Sequence, residues 1–474
     1  MTELKASFRD PDGAVYLSGD RAIRLVFPSA AKGIRSALEA ASVRRLVTEG
    51  AFVESLFLEG LAAITAIDSL GLAATPPPGT LAIAHPRVPF PTYAHEWCPE
   101  MLYAAGKLTL QIAAALHADG LGLKDATPHN VLFRGARPIL IDAASAEWRD
   151  PGDPTWLPQA QFTRTFVLPL LTARHCGMTL AQVFLADRDG LQPERVYDLL
   201  GMSRRLIPSF LFAVTLPTLL AGRANAQPAI YARRTEAPDK AAFMLKSTLN
   251  HLGRLLESAA PSAATSAWAG YMETKSYEGG DFEAKERFVQ TVIDAKKPAS
   301  VLDIGCNTGH FSELAAQHGA HIVALDSDPV CVAQTYQRAL RKNLPIVALV
   351  GDIARPSPAI GWRNSEQASL LSRLTGRFDL VLMLAVLHHL LVTERIPLSD
   401  VLDLAADLTT DLLVLEYVGP TDTMFRRLVR GRDDLYSHMG IEWFEDGCRR
   451  RFEIIKQQPL GASDRRLYWL KKRG

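Results

Sequence analysis

Cysteine is scarce in this chain: five residues in 474, at Cys98, Cys176, Cys306, Cys331 and Cys448. None forms a C-x-x-C pair. An odd, scattered set argues against a disulfide framework or a zinc site and for reduced thiols in the cytoplasm. Net charge is also small. Lys plus Arg (52) nearly balance Asp plus Glu (51), leaving +1, so overall charge gives no reason to expect a nucleic-acid or membrane partner. The N-terminus, MTELKASFRD, has no apolar core and is not expected to be a signal peptide. Long apolar runs are nearly absent as well. The best, Leu206 to Gly222, is interrupted by Pro208 and Pro217 and flanked by Arg204, Arg205 and Arg223. It falls short of the ~20 residues of a membrane span and reads as a buried or interfacial helical segment. There is no G-x-G-x-x-G, so nothing marks a diphosphate site.

What remains is ordinary globular composition, 48% hydrophobic and 22% charged, in a chain too long for one core. Three parts are expected: residues 1–150, a mostly helical stretch 151–260, and 261–474. The last boundary follows the small, polar, proline-led stretch from Pro261 to Ala267.

The last part carries the clearest signal. Ala299 to Phe311 reads ASVLDIGCNTGHF: an apolar strand, a turn with Gly305 and Gly309, then a helix-like run. Strand, tight turn and helix start form the arrangement that grips a nucleotide-like ligand at the carboxyl end of a parallel strand. A second strand, Ile322 to Leu325, ends at Asp326, where a ribose diol would bind. Further strands are expected at Ile346–Val350, Leu380–Leu384 and Leu412–Glu416, alternating with helices, hence a parallel sheet. Phe452–Gln457 and Arg466–Leu470 are joined by a turn with no helix between them, and must pair antiparallel.

The loop resembles the D-x-G-x-x-x-G loop of class I S-adenosylmethionine (SAM) methyltransferases. Five parallel strands closed by an antiparallel hairpin is also that family's sheet. The resemblance implies an α/β fold with a Rossmann-like C-terminal sheet, SAM as cofactor, and methyl transfer to an acceptor that the sequence does not identify. By position it assigns Asp303, Gly305, Asn307 and Gly309 to the methionine end of SAM, Asp326 to the ribose and Asp352 to adenine. Asn307 stands where many members have glycine, and asparagine tolerates a left-handed backbone. Asp328 is expected to cap the next helix, and Cys306 to be a small loop residue. His388, His389 and Glu416 end the fourth and fifth strands, where the acceptor meets the methyl group. They are the candidates for a base or an acceptor contact. Tyr271 and Tyr277 are candidates to lid the cofactor, and the run Arg426, Arg427, Arg430, Arg432 to face an anionic acceptor.

The first 260 residues hold a weaker pattern. Asp125, Asn130 and Asp142 flank a strand-turn-strand, which resembles the H-R-D-x-x-x-x-N and D-F-G segments of protein-kinase-like folds. By position these would be base and magnesium ligands. Leu123, Lys124, Ala143 and Ala144 depart from the motif, and no glycine-rich loop or third-strand lysine is evident. The implied region is an α+β, degenerate kinase-like module that binds or presents substrate. The alternatives are a bifunctional protein with an ATP-binding phosphotransferase domain, and a non-catalytic SAM-binding scaffold. Locally, one helix is expected from Ala30 to Thr48 and two over Leu102 to His117.

Overall fold

A computed structural model describes residues 9–72, 74–224, 235–262, 280–461 and 463–473. Tyr271, Tyr277 and most of the expected 261–267 linker lie outside the described residues.

The N-terminal region opens with a hairpin, β1 (Gly13–Ser18) and β2 (Arg21–Val26). Helices α1 (Pro28–Leu38) and α2 (Ala41–Thr48) follow. The single helix expected here is two, because Ala40 adopts an extended backbone, ψ 151°. Next come β3 (Leu56–Leu58), α3 (Gly60–Ser69) and β4 (Leu81–Pro86). The four strands form one antiparallel sheet in the order β1-β2-β4-β3. A proline-rich connection leads to α4 (Pro99–His117), which is one continuous 19-residue helix, not two. Pro99 stands at its first position, where a missing N–H costs nothing, and Met101, Leu102, Ala105, Ile112 and Leu116 form its buried stripe.

After α4 the chain forms β5 (Leu121–Leu123), the hairpin β6 (Val131–Arg134) and β7 (Arg137–Leu140), and β8 (Ala146–Trp148). A small sheet, a connecting segment, a long helix and then paired short strands around a loop is a kinase-like order. Between residues 159 and 258 the described elements are all helices, ending in Pro238–Ser258. The stretch 206–222 does become helical, but it is only half buried: Phe210 and Val214 face the core, while Phe212, Leu219 and Leu220 are exposed. Among the described residues, no helix is long and apolar enough to cross a membrane.

The C-terminal region is a doubly wound sheet with strands β9 (Ser300–Ile304), β10 (His321–Asp326), β11 (Ile346–Val350), β12 (Phe378–Met383), β13 (Thr409–Val418), β14 (Phe452–Pro459) and β15 (Arg465–Lys472). Their order is β11-β10-β9-β12-β13-β15-β14. The first five are parallel, and β15 pairs antiparallel with both β13 and β14. The parallel strands are buried on both faces, hence their continuous Val, Ile and Leu runs. The order reverses direction between β9 and β12, so their carboxyl ends open a crevice, the usual ligand site of such a sheet.

The two regions are packed together. Segment 351–377, between β11 and β12, lies against the connection 87–98. Glu96 and Arg373, 1% and 4% exposed, form a buried ion pair. Arg373 also donates to the Pro91 carbonyl at 2.8 Å, and Ser357 donates to Glu96 at 2.7 Å. Phe90 and Tyr93 present their ring faces to the Arg373 guanidinium.

Candidate functional site

The loop after β9 is pinned by hydrogen bonds to β10. The amides of Gly305 and Cys306 both donate to the Leu325 carbonyl, at 2.8 and 3.1 Å. Gly305, Asn307 and Gly309 all have left-handed backbones, with φ of 72°, 50° and 79°. Asparagine therefore does at 307 what glycine does elsewhere in such loops. Space decides the two glycines independently. A Cβ on Gly305 would lie 2.4 Å from Val386, and one on Gly309 would lie 2.7 Å from Thr335. Val386 follows β12, so the loop touches the end of the fourth strand.

Asp326, at the end of β10, is brought to this loop. One carboxylate oxygen accepts the Asn307 amide at 2.8 Å and the other the Asp328 amide at 2.9 Å. Burial raises its pKa, and these amides oppose the rise. A partly exposed carboxylate fixed at a strand end retains lone pairs for a diol. Asp328 caps the following helix through the Val330 amide. Asp303 is fully enclosed and accepts from the Ser312 hydroxyl at 2.6 Å. Burial lifts its pKa to about 6, with Asp326 adding to the rise. Asp303 thus braces the loop from beneath. Asp352 accepts the Ala354 amide at 2.9 Å and pairs with Arg355 at 3.0 Å. The Cys306 thiol is buried and its pKa driven well up, mainly by desolvation, so it is an inert packing group.

His388 and His389 follow the end of β12, their rings 4.3 Å apart. His388 is 3% exposed, and its Nδ1 is buried without a hydrogen-bond partner. Burial holds its pKa well below the usual imidazole value, and His389, Arg465 and Lys285 push the same way. The ring is neutral at physiological pH. Glu416 is wholly buried, and two cations hold it: Lys285 Nζ at 2.5 Å and Arg465 Nη1 at 3.2 Å. Arg465 further pairs with Asp422 at 2.8 Å. Lys285 and Arg465 were not legible as site residues from local motifs. For Lys285 a signal exists: it stands three residues from both Phe282 and Phe288, on the apolar side of its helix, Asp281–Lys296.

In the kinase-like region, Asn130 approaches Asp142 at 3.5 Å, while Asp125 accepts from Gln161 at 3.2 Å. The basic residue not found by sequence is Arg24. It lies in β2, in the run Arg21-Ala22-Ile23-Arg24. Its guanidinium pairs with Asp142 at 2.7 Å and Asp10 at 3.2 Å.

Residues 277–428 match the family model of a methyltransferase domain. The C-terminal region is a SAM-dependent methyltransferase domain. The whole chain is 28% identical over 470 residues to nodulation protein NoeA of Rhizobium meliloti (strain 1021), covering 98% of this chain and 95% of that protein. Among solved structures, N-methyltransferase NodS of Bradyrhizobium japonicum WM9 aligns at 17% identity over 42% of this chain and 99% of its own, TM-score 0.31. The bifunctional kinase-methyltransferase WbdD aligns at 20% identity over 41% of this chain and 40% of its own, TM-score 0.28. SAM, the methyl donor of the methyltransferase domain, supplies a methyl group already activated on a sulfonium. The chain must therefore supply positioning, and a proton acceptor only where the nucleophile carries a proton.

Proposed function

We propose that the protein methylates an acceptor bound in the crevice between the ends of β12 and β13. Residues 261–474 form the catalytic part, and residues 1–150 and 151–260 form a kinase-like docking module with its helical continuation. The observation that carries this reading is the hydrogen bond of Asp326 to the loop 305–309, left-handed at Gly305, Asn307 and Gly309 and packed at Gly305 against Val386, two residues before a buried histidine with a spare ring nitrogen. In this reading Asp303, Gly305, Asn307 and Gly309 cradle the methionine end of SAM, Asp326 accepts from the ribose hydroxyls, and Asp352 takes the adenine side. His388, kept neutral, accepts the hydrogen bond of an incoming O–H or N–H, and His389 backs it. Glu416, compensated by Lys285 and Arg465, anchors the crevice wall and is a positioning residue rather than the base.

The Arg24–Asp142 ion pair supports the docking role over phosphotransfer, because a guanidinium takes up the carboxylate that a magnesium ion would need. The test is thermal: SAM should raise the melting temperature of the full chain, and Asp326→Ala should abolish the rise while leaving the fold intact. No rise in the wild-type chain would defeat the reading. Incubation with methyl-labelled SAM and a cell extract, then identification of what carries the label, would name the acceptor.

A further inference from the structure

A groove of about 710 Å³ opens between the segment 391–399, which follows β12, and residues 435–450, which precede β14; it is large enough for a small-molecule ligand. One wall is the turn that begins at His389 and includes Leu391; the other is the segment from Tyr436 to Trp443. Each wall is tied to a strand end of the proposed crevice. The His389 ring lies tilted against His388, centroids 4.3 Å apart, and the Met439 carbonyl accepts from the Tyr417 hydroxyl at 2.8 Å, next to Glu416.

Two kinds of group in the lining bear on a ligand. Tyr436, His438 and Trp443 are aromatic, with His438 edge-on to Trp443 at 5.7 Å. Arg395 and Arg450 are cationic and exposed, and neither guanidinium has a hydrogen-bond or ion-pair partner among the described residues. Neighbouring Arg449 is paired twice, with Glu445 at 2.9 Å and Asp446 at 2.7 Å. The one lining carboxylate, Asp446, is therefore already compensated and repels an incoming anion little. Arg395 is also held at φ 57°, a left-handed backbone that a long side chain rarely adopts. The exposed run Arg426, Arg427, Arg430 and Arg432 precedes the second wall and adds positive potential on the approach.

We propose that this groove binds the acceptor, and that the acceptor is an anion, a carboxylate or a phosphate, on a flat apolar body. Arg395 and Arg450 grip the anionic group as planar forks, and Trp443 and Tyr436 cover the body. This inference rests on the proposed acceptor crevice between β12 and β13.

Binding to the full chain is measured by isothermal titration with three probes: 2-naphthoate, 2-naphthyl phosphate and the uncharged 2-naphthamide. At least one anion should bind tenfold or more tighter than the amide, and the better of the two names the anionic group. The double variant Arg395→Ala with Arg450→Ala should lose tenfold or more in anion affinity while keeping the SAM-induced rise in melting temperature. Trp443→Leu should weaken all three probes. Equal binding of amide and anions, or unchanged anion binding in the double variant, would overturn the proposal. Anion binding that behaves as expected in a chain lacking any SAM-induced rise would uphold the groove and defeat the methyltransferase reading of the crevice instead.

Discussion

Replacing Arg373 by methionine tests how firmly the two regions are joined. Methionine retains the apolar stem and deletes the charge. The change leaves Glu96, 1% exposed, as a buried carboxylate with its cation gone and one oxygen, Oε2, already without a partner. It also strands the Pro91 carbonyl, which accepts from Arg373 at 2.8 Å. Removing one member of a buried pair costs about 3–5 kcal/mol. If both regions unfold together, the 474 residues carry an unfolding entropy of roughly 1 kcal/mol/K, so the melting temperature should fall by about 4 °C. Scanning calorimetry reads both numbers, and a split into two transitions would reveal that the regions have uncoupled. The double variant Glu96→Leu with Arg373→Met should cost less than the sum of the single changes, since neither charge is then left alone. A cost below about 1 kcal/mol for Arg373→Met, or simple additivity, would refute the claim that this pair joins the regions.

Gly309→Ala should impair folding or SAM binding severely, because the new methyl group meets Thr335 at 2.7 Å and the backbone is left-handed; a full SAM-induced thermal rise in this variant would contradict the loop geometry. His85 gives a pH prediction. Burial chiefly lowers its pKa from 6.5 to about 4, so the unfolded chain binds the extra proton first. Its contribution is complete above pH 6.5 and is lost as pH falls toward 4, by about 3 kcal/mol. Asp303 acts oppositely: its folded pKa is raised to about 6, so its term favours folding as pH falls from 6 toward 4. The wild-type profile therefore mixes the two signs, and the difference between wild type and His85→Gln should isolate the histidine term. Denaturant titrations at pH 7 and pH 4 that show the same difference would contradict it.

The parallel strands and the glycine turn were readable because both are local. Continuous apolar runs, a glycine where φ must be positive, and an acid at the next strand end leave their marks within about 30 residues. The terminal hairpin was readable for the same reason. The cap at Asp328 and the inert Cys306 followed from ordinary turn chemistry. Lys285 on Glu416 and Glu96 on Arg373 were not readable. These partners are 131 and 277 residues apart, and no periodicity links them. Arg24 on Asp142 was not readable either, since the two are 118 residues apart. The break at Ala40 and the continuity of α4 were misread because alanine-rich segments carry weak boundary signals, and tertiary packing decides them.

The two borders of the large sheet are protected in different ways. On one side β11 lies beside the Ala94–Glu96 turn, and the β6–β7 turn packs so near that a Cβ added at Gly135 would lie 3.1 Å from the Leu344 carbonyl just before that strand. On the other side β14 is exposed along most of its length, but it carries a register shift between Ile454 and Lys456, a lysine, and a terminal proline at Pro459. Bulges, lysines and prolines discourage another chain from adding a strand. Only β14 carries its own guard; β11 borrows its cover from the first half of the chain. A fragment cut free of residues 1–260 would expose β11 as a bare template, and its failing would be self-association through that strand before any loss of methyl-donor chemistry.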